Sequence, residues 1–142
     1  NWGWSACRAS TALFFDPTSP WTQCTLANNQ VGSTTCCDDP GPCNVYGYLD
    51  TTLQAVGHFD HIDGGQEPES TLTAQIDAGL PLGVRVAWSG GGAHFIMCVG
   101  ADGDGMVTIA DPFYGSSYIP YATLQSSYQG SGTWTHSYFT QA

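Results

Sequence analysis

The spacing of hydrophobic residues changes at about the middle of the chain. Trp4, Cys7, Thr11 and Phe14 recur at helical spacing and predict a buried helix over residues 1–15. The same period predicts three further helices, over 21–29, 47–57 and 70–79. Beyond residue 83 apolar residues alternate or form short runs. That pattern predicts strands over 84–88, 95–99, 106–109 and 133–139, with a short helix over 121–128.

A helical first half followed by an antiparallel second half is the pattern of an α+β domain. Pro17 and Pro20 end the first helix, because proline cannot continue the hydrogen-bonded turn. Ser70 is predicted as an N-cap and Pro120 as the first turn of the last helix. At 142 residues the chain is predicted to form a single domain over 1–142.

Charge restricts the partners. Twelve acidic residues are balanced only by Arg8 and Arg85, so the formal net charge is −10 and phosphate-rich nucleic acids would be repelled. No 18-residue apolar run is present, so we expect no membrane span.

Residues 58–63 alternate histidine and aspartate and so divide metal ligands between two strand faces. An exposed polar strand or loop is expected there, with no metal and no cofactor.

Six cysteines in so short a chain predict disulfides and an extracellular location. Zinc is the competing interpretation, but no C-x-x-C pair is present. Residues 31–42 are predicted to be an irregular loop held by Cys24, Cys36, Cys37 and Cys43. A bond between the adjacent Cys36 and Cys37 would be strained, which leaves two pairings open.

One histidine stands out by its position. His94 follows a glycine-rich bend and begins an apolar run, and Asp111 lies 17 residues later, at the end of the next run. A tight turn at residues 102–105 would make the two runs antiparallel neighbours. A lone histidine on a strand is often only a core residue, but beside a carboxylate it forms the base half of a nucleophilic triad.

The opening Asn1-Trp2-Gly3-Trp4-Ser5-Ala6 resembles the W-C-W-A-A opening of bacterial papain-like cysteine peptidases, with glycine in place of the cysteine. Further similarities occur in the same order along the chain. They are residues 23–28, the Cys36-Cys37 pair, Gly91-Gly92-Ala93-His94, Ala110-Asp111-Pro112 and residues 130–136.

The resemblance implies a papain-like fold, with the helical half packed on the sheet and a Cys-His-Asp triad that hydrolyses peptide bonds. Gly3 then occupies the nucleophile position, His94 is the base and Asp111 orients His94. The glutamine that the family places before its nucleophile has no counterpart in Asn1 or Trp2. Cys7 and Cys98 each follow one of these positions by four residues, so a third disulfide between them is also predicted.

Two classes of function follow. The first is a cysteine peptidase domain that is inactive because position 3 has no side chain to attack a carbonyl. The second is a non-enzymatic extracellular protein that uses the fold for binding or self-assembly. Either one would take a peptide or protein as its partner.

Overall fold

A six-stranded antiparallel sheet with helices on both faces forms the centre of the fold. The computed structural model describes residues 2–142. The helices are α1 (Gly3–Phe15), α2 (Gln23–Val31), α3 (Leu49–Ala55), α4 (Glu69–Asp77) and α5 (Tyr121–Ser126). The strands are β1 (Phe59–Asp63), β2 (Leu82–Trp88), β3 (Ala93–Ala101), β4 (Met106–Asp111), β5 (Gly115–Pro120) and β6 (Gly132–Thr140).

The strand order is β1-β6-β2-β3-β4-β5, and every neighbouring pair is antiparallel. The central strands are largely buried, whereas β1 and β5 at the two edges are mostly exposed. The α+β architecture predicted from the hydrophobic pattern is therefore confirmed. The helical first half also contributes β1, which pairs with the last strand, β6.

Alternate residues of β3 enter two separate cores. Phe95 and Met97 pack with α1, α2 and α3, whereas Ile96 and Cys98 pack with α4 and α5. The period of two arises because successive side chains of a strand point to opposite faces of the sheet. Both faces of the central strands are consequently buried, which fixes the register of β3 and the position of His94 at its start.

Local sequence sets the helix ends more sharply than periodicity does. The Thr22 side chain accepts a bond from the Thr25 backbone N–H, and the Thr25 side chain accepts one from the Thr22 backbone N–H, so α2 begins at Gln23 with a capping box. Gly32, in the left-handed conformation, ends the helix. The predicted N-cap at Ser70 is wrong, because α4 already begins at Glu69 after Pro68.

Strand β5 was not predicted. Its sequence is mostly polar and lies on a sheet edge, so it lacks the apolar alternation of a half-buried strand. The last helix also ends at Ser126, two residues before the predicted end.

Two disulfides join Cys24 to Cys37 and Cys36 to Cys43, which is one of the two pairings left open by the sequence. The predicted third bond is wrong, because Cys7 and Cys98 are free and buried. They belong to the two different cores, on opposite faces of the sheet. The Cys7 thiol instead donates to the Phe95 carbonyl at 3.3 Å.

No helix in the described part of the chain is long and apolar enough to cross a membrane.

The disulfide pattern predicts a specific thiol count. The native protein should show no reactive thiol, because both free cysteines are buried, and denaturation without reductant should release two. Thiol titration before and after denaturation measures both numbers. A count of zero after denaturation would mean that Cys7 and Cys98 are bonded, and four or more would contradict the two disulfides.

Candidate active site

The pairing of β3 with β4 brings His94 and Asp111 together. Met97 of β3 lies opposite Ala110 of β4, so the same register places Ile96 beside Asp111. His94 lies two residues before Ile96 on β3 and therefore on the same face of the strand. His94 Nε2 lies 2.8 Å from Asp111 Oδ1. The Asp111 side chain is fully buried and that of His94 is 15% exposed. The imidazole is therefore oriented by a carboxylate and still reaches the surface.

Gly3 lies on the other side of the His94 ring, at the first position of α1. A Cβ added at Gly3 would lie 3.4 Å from His94 Nδ1 and 3.8 Å from the Phe95 carbonyl oxygen. These are ordinary van der Waals contacts, and the Gly3 backbone does not have a positive φ. Neither space nor backbone conformation requires glycine here, so position 3 has room for a side chain that faces His94.

Asp111 is held by more than its contact with His94. Its Oδ1 also accepts bonds from the backbone N–H groups of Phe113, at 2.7 Å, and Tyr114, at 3.0 Å. Its Oδ2 accepts the Tyr128 hydroxyl at 2.5 Å. Burial alone would raise the pKa of Asp111, but the bonds from His94, Tyr128 and the two backbone groups outweigh it and lower the pKa to about 2. The carboxylate therefore stays ionised inside the protein.

Two aromatic residues of the site were missed by the sequence analysis. The Trp88 ring stacks on His94 with centroids 6.0 Å apart, and on Tyr128 with centroids 6.4 Å apart. Trp88 therefore packs against both His94 and Tyr128, the two side chains that bond to Asp111. The alternation in β2 predicted that Trp88 is a strand residue, but no sequence signal connected Tyr128 with Asp111.

The site opens into a cleft of about 470 Å³. Trp2, Gly3, Trp4 and Gln23 line one wall, and the other is lined by Trp88, His94, Pro112, Phe113 and Tyr114. Phe113 is 78% exposed and Tyr114 is 50% exposed. The cleft thus has an aromatic rim with His94 on its wall.

Gln23 is a further cleft residue that the sequence analysis did not assign to the site. Its side-chain Nε2 donates to the Trp2 backbone carbonyl at 3.3 Å, and the Gln23 backbone carbonyl accepts a bond from the Ser5 hydroxyl at 2.6 Å. An amide side chain is therefore present beside position 3, although it comes from α2 rather than from a segment before residue 3. The sequence signal that could have identified Gln23 is its position in the stretch 23–28, which resembles bacterial papain-like cysteine peptidases.

Neither neighbouring side chain takes the place of a nucleophile. The Ser5 hydroxyl is used in the bond to Gln23. Cys7 is buried in the core, where its thiol donates to the Phe95 carbonyl. Burial, together with the negative charge of Asp111, raises the pKa of Cys7 far above the ordinary value of a thiol.

The histidines of residues 58–63 form no metal site among the described residues. His61 Nδ1 lies 3.0 Å from Asp60 Oδ2, and both side chains are about half exposed. The His58 ring stacks on Phe15 instead.

Comparison with known proteins adds information about the fold only. No family model matches the chain, and no curated protein matches it. Among solved structures, the chain is similar to the Pseudomonas avirulence protein AvrPphB in its crystal structure, with a TM-score of 0.51 and 8% sequence identity. The match covers 100% of this chain and 92% of that chain. The fold is therefore papain-like.

Alanine at two glycine positions should have different effects on the free energy of unfolding. Gly3→Ala should leave the free energy of unfolding unchanged or raise it by up to about 1 kcal/mol, because alanine is the better helix former and the space is open. Gly47→Ala should lower it by about 2 kcal/mol, because its Cβ would lie 2.5 Å from the Trp4 ring. Urea unfolding measures both. A large loss with Gly3→Ala would contradict the open space beside His94.

The low pKa of Asp111 predicts an acid-dependent part of stability. Its pKa is depressed in the folded state, so its contribution is present above the ordinary value of 3.8 and is lost as the pH falls to about 2. The difference in unfolding free energy between wild type and Asp111→Asn should be larger at pH 5 than at pH 2, by about 2 kcal/mol. Urea unfolding at both pH values tests this, and an unchanged difference would contradict it.

Proposed function

We propose that this chain is a papain-like cysteine peptidase domain in which Gly3 occupies the nucleophile position. Its cleft would bind a peptide without forming a covalent acyl intermediate. The observation that carries the proposal is the placement of His94, with Nε2 bonded to Asp111 and Nδ1 facing position 3 at 3.4 Å from an added Cβ. A base, its orienting carboxylate and an empty nucleophile position are the parts of a triad with one member absent.

The same geometry explains how a thiol at position 3 would act. The first residues of a helix carry N–H groups without intrahelical acceptors and a partial positive charge, which favour a thiolate. His94 Nδ1 would take the thiol proton and later donate it to the leaving amine. The backbone N–H of position 3 and the Gln23 amide are the available donors for the oxyanion.

With glycine at position 3 the covalent step has no attacking atom. Only water activated by His94 remains, and triad enzymes that lack a member keep only the small residual rate from oxyanion stabilisation and binding. We therefore expect no peptidase activity from the protein with Gly3.

A second candidate function is a non-enzymatic extracellular binding protein. The exposed aromatic rim of the cleft, above all Phe113 and Tyr114, favours it, because exposed aromatic side chains at a cleft are typical of binding sites. The two disulfides support an extracellular location. Peptide binding without hydrolysis is common to both candidates. Restoring the thiol distinguishes them, because only an inherited catalytic site would activate it.

Gly3→Cys should create a reactive thiol. At pH 6 its alkylation by iodoacetamide should be about tenfold faster than that of an ordinary cysteine, because the gain in thiolate outweighs the loss in intrinsic nucleophilicity. Gly90→Cys is the matched reference, since position 90 is exposed, has a negative φ and has no atom within 4 Å of an added Cβ. Labelling rates are measured between pH 4 and pH 9, with the labelled residue identified by peptide mapping.

The control is the same pair of measurements in a His94→Ala background. The Gly3→Cys thiol should then react like the Gly90→Cys thiol, with an ordinary pH dependence. Equal labelling of Gly3→Cys with and without His94 would mean that His94 is not a base for position 3, and the peptidase proposal would fail.

A further inference from the structure

Tyr128 places a hydroxyl group inside the core, at Asp111. The residue is 1% exposed, and its Oη lies 2.5 Å from Asp111 Oδ2. Its backbone is fixed by two bonds with Gly132, from Tyr128 N to Gly132 O at 2.9 Å and from Gly132 N to Tyr128 O at 2.8 Å. Trp88 packs against its ring. The hydroxyl therefore has a fixed position at Asp111.

The two oxygens of Asp111 are held by different parts of the fold. Oδ1 contacts His94 and the backbone N–H groups of Phe113 and Tyr114, whereas Oδ2 accepts its bond from Tyr128. The Asp111 side chain is fully buried, so without the hydroxyl one oxygen of a buried carboxylate would have no donor. Such an oxygen strongly disfavours the ionised form.

We propose that Tyr128 is a positioning residue that keeps Asp111 ionised and directed at His94. An ionised, fixed carboxylate holds the proton of His94 on Nε2 and so leaves Nδ1 free to face position 3. This inference deepens the proposed function, and it rests on that function for the role of His94 as a base.

Other titratable groups also surround the carboxylate. Tyr114 lies beside His94 with ring centroids 6.4 Å apart, and Cys7 of α1 lies within electrostatic range of Asp111. Tyr114 contacts Asp111 through its backbone N–H. Tyr128 alone of these residues donates a side-chain hydroxyl to the carboxylate.

The test is a titration of the Asp111 carboxyl carbon by NMR in the protein with Gly3. In Tyr128→Phe the midpoint should rise by one to two pH units from about 2, because a hydrogen bond to a charged group is lost while the ring is kept. Tyr114→Phe is the matched control. It removes a hydroxyl from a neighbouring tyrosine and should leave the midpoint unchanged. An unmoved midpoint in Tyr128→Phe would overturn the proposal.

The effect on His94 has its own signal. The proton between His94 Nε2 and Asp111 should give a downfield proton resonance that disappears when Asp111 is protonated. In Tyr128→Phe it should disappear one to two pH units higher than in the wild type. Disappearance at the same pH would mean that Tyr128 does not act on His94 through Asp111.

A second probe does not depend on whether Tyr128→Phe folds. Replacing all tyrosines by fluorotyrosine makes each hydroxyl a stronger donor, so the Asp111 midpoint should fall, and an unchanged midpoint would contradict the proposal. Neither titration requires a thiol at position 3. Failure of the peptidase proposal would appear as unactivated alkylation of Gly3→Cys, whereas failure of this one would appear as an unmoved Asp111 midpoint.

Discussion

The buried carboxylate of Asp111 is the constraint on which the site depends. A carboxylate removed from water must be compensated by donors, and here they come from three parts of the fold. His94 belongs to β3, the Phe113 and Tyr114 N–H groups follow β4, and Tyr128 follows α5. Because the donors share one acceptor group, the orientation of the imidazole is tied to the packing of the sheet and of α5.

The site retains its supporting geometry although position 3 has no side chain. Gly3 differs in this respect from other glycines. Gly47 and Gly132 each lie so close to a tryptophan or valine side chain that an added Cβ would overlap with it, whereas Gly3 leaves open space beside His94. Glycine at 47 and 132 is explained by packing. Glycine at 3 has no such explanation in packing, and it leaves position 3 without a side chain beside His94.

The two disulfides anchor a part of the fold that has no regular secondary structure. Residues 33–47 contain no helix or strand, and both disulfides anchor this segment, one of them to α2. The segment in turn supports the site, since the carbonyls of Cys43 and Val45 accept bonds from the indole groups of Trp2 and Trp4. Trp2 and Trp4 flank Gly3, so the disulfide loop fixes the start of α1 and with it one wall of the cleft.

The sequence by itself determined the elements whose causes are local. The period of apolar residues predicted α1 and the central strands, and the resemblance at residues 1–6, at His94 and at Asp111 identified the residues that meet in the site. Cysteine spacing restricted the disulfides to two arrangements.

Only the tertiary structure decided which of the two disulfide arrangements forms, because the choice depends on which cysteines the fold brings together in space. The same holds for Cys7 and Cys98, which similar spacing suggested as partners but which the sheet separates. Edge strand β5 and the donor Tyr128 could not be predicted from sequence, because a polar edge has no apolar alternation and a hydroxyl's partner is set by packing between distant segments.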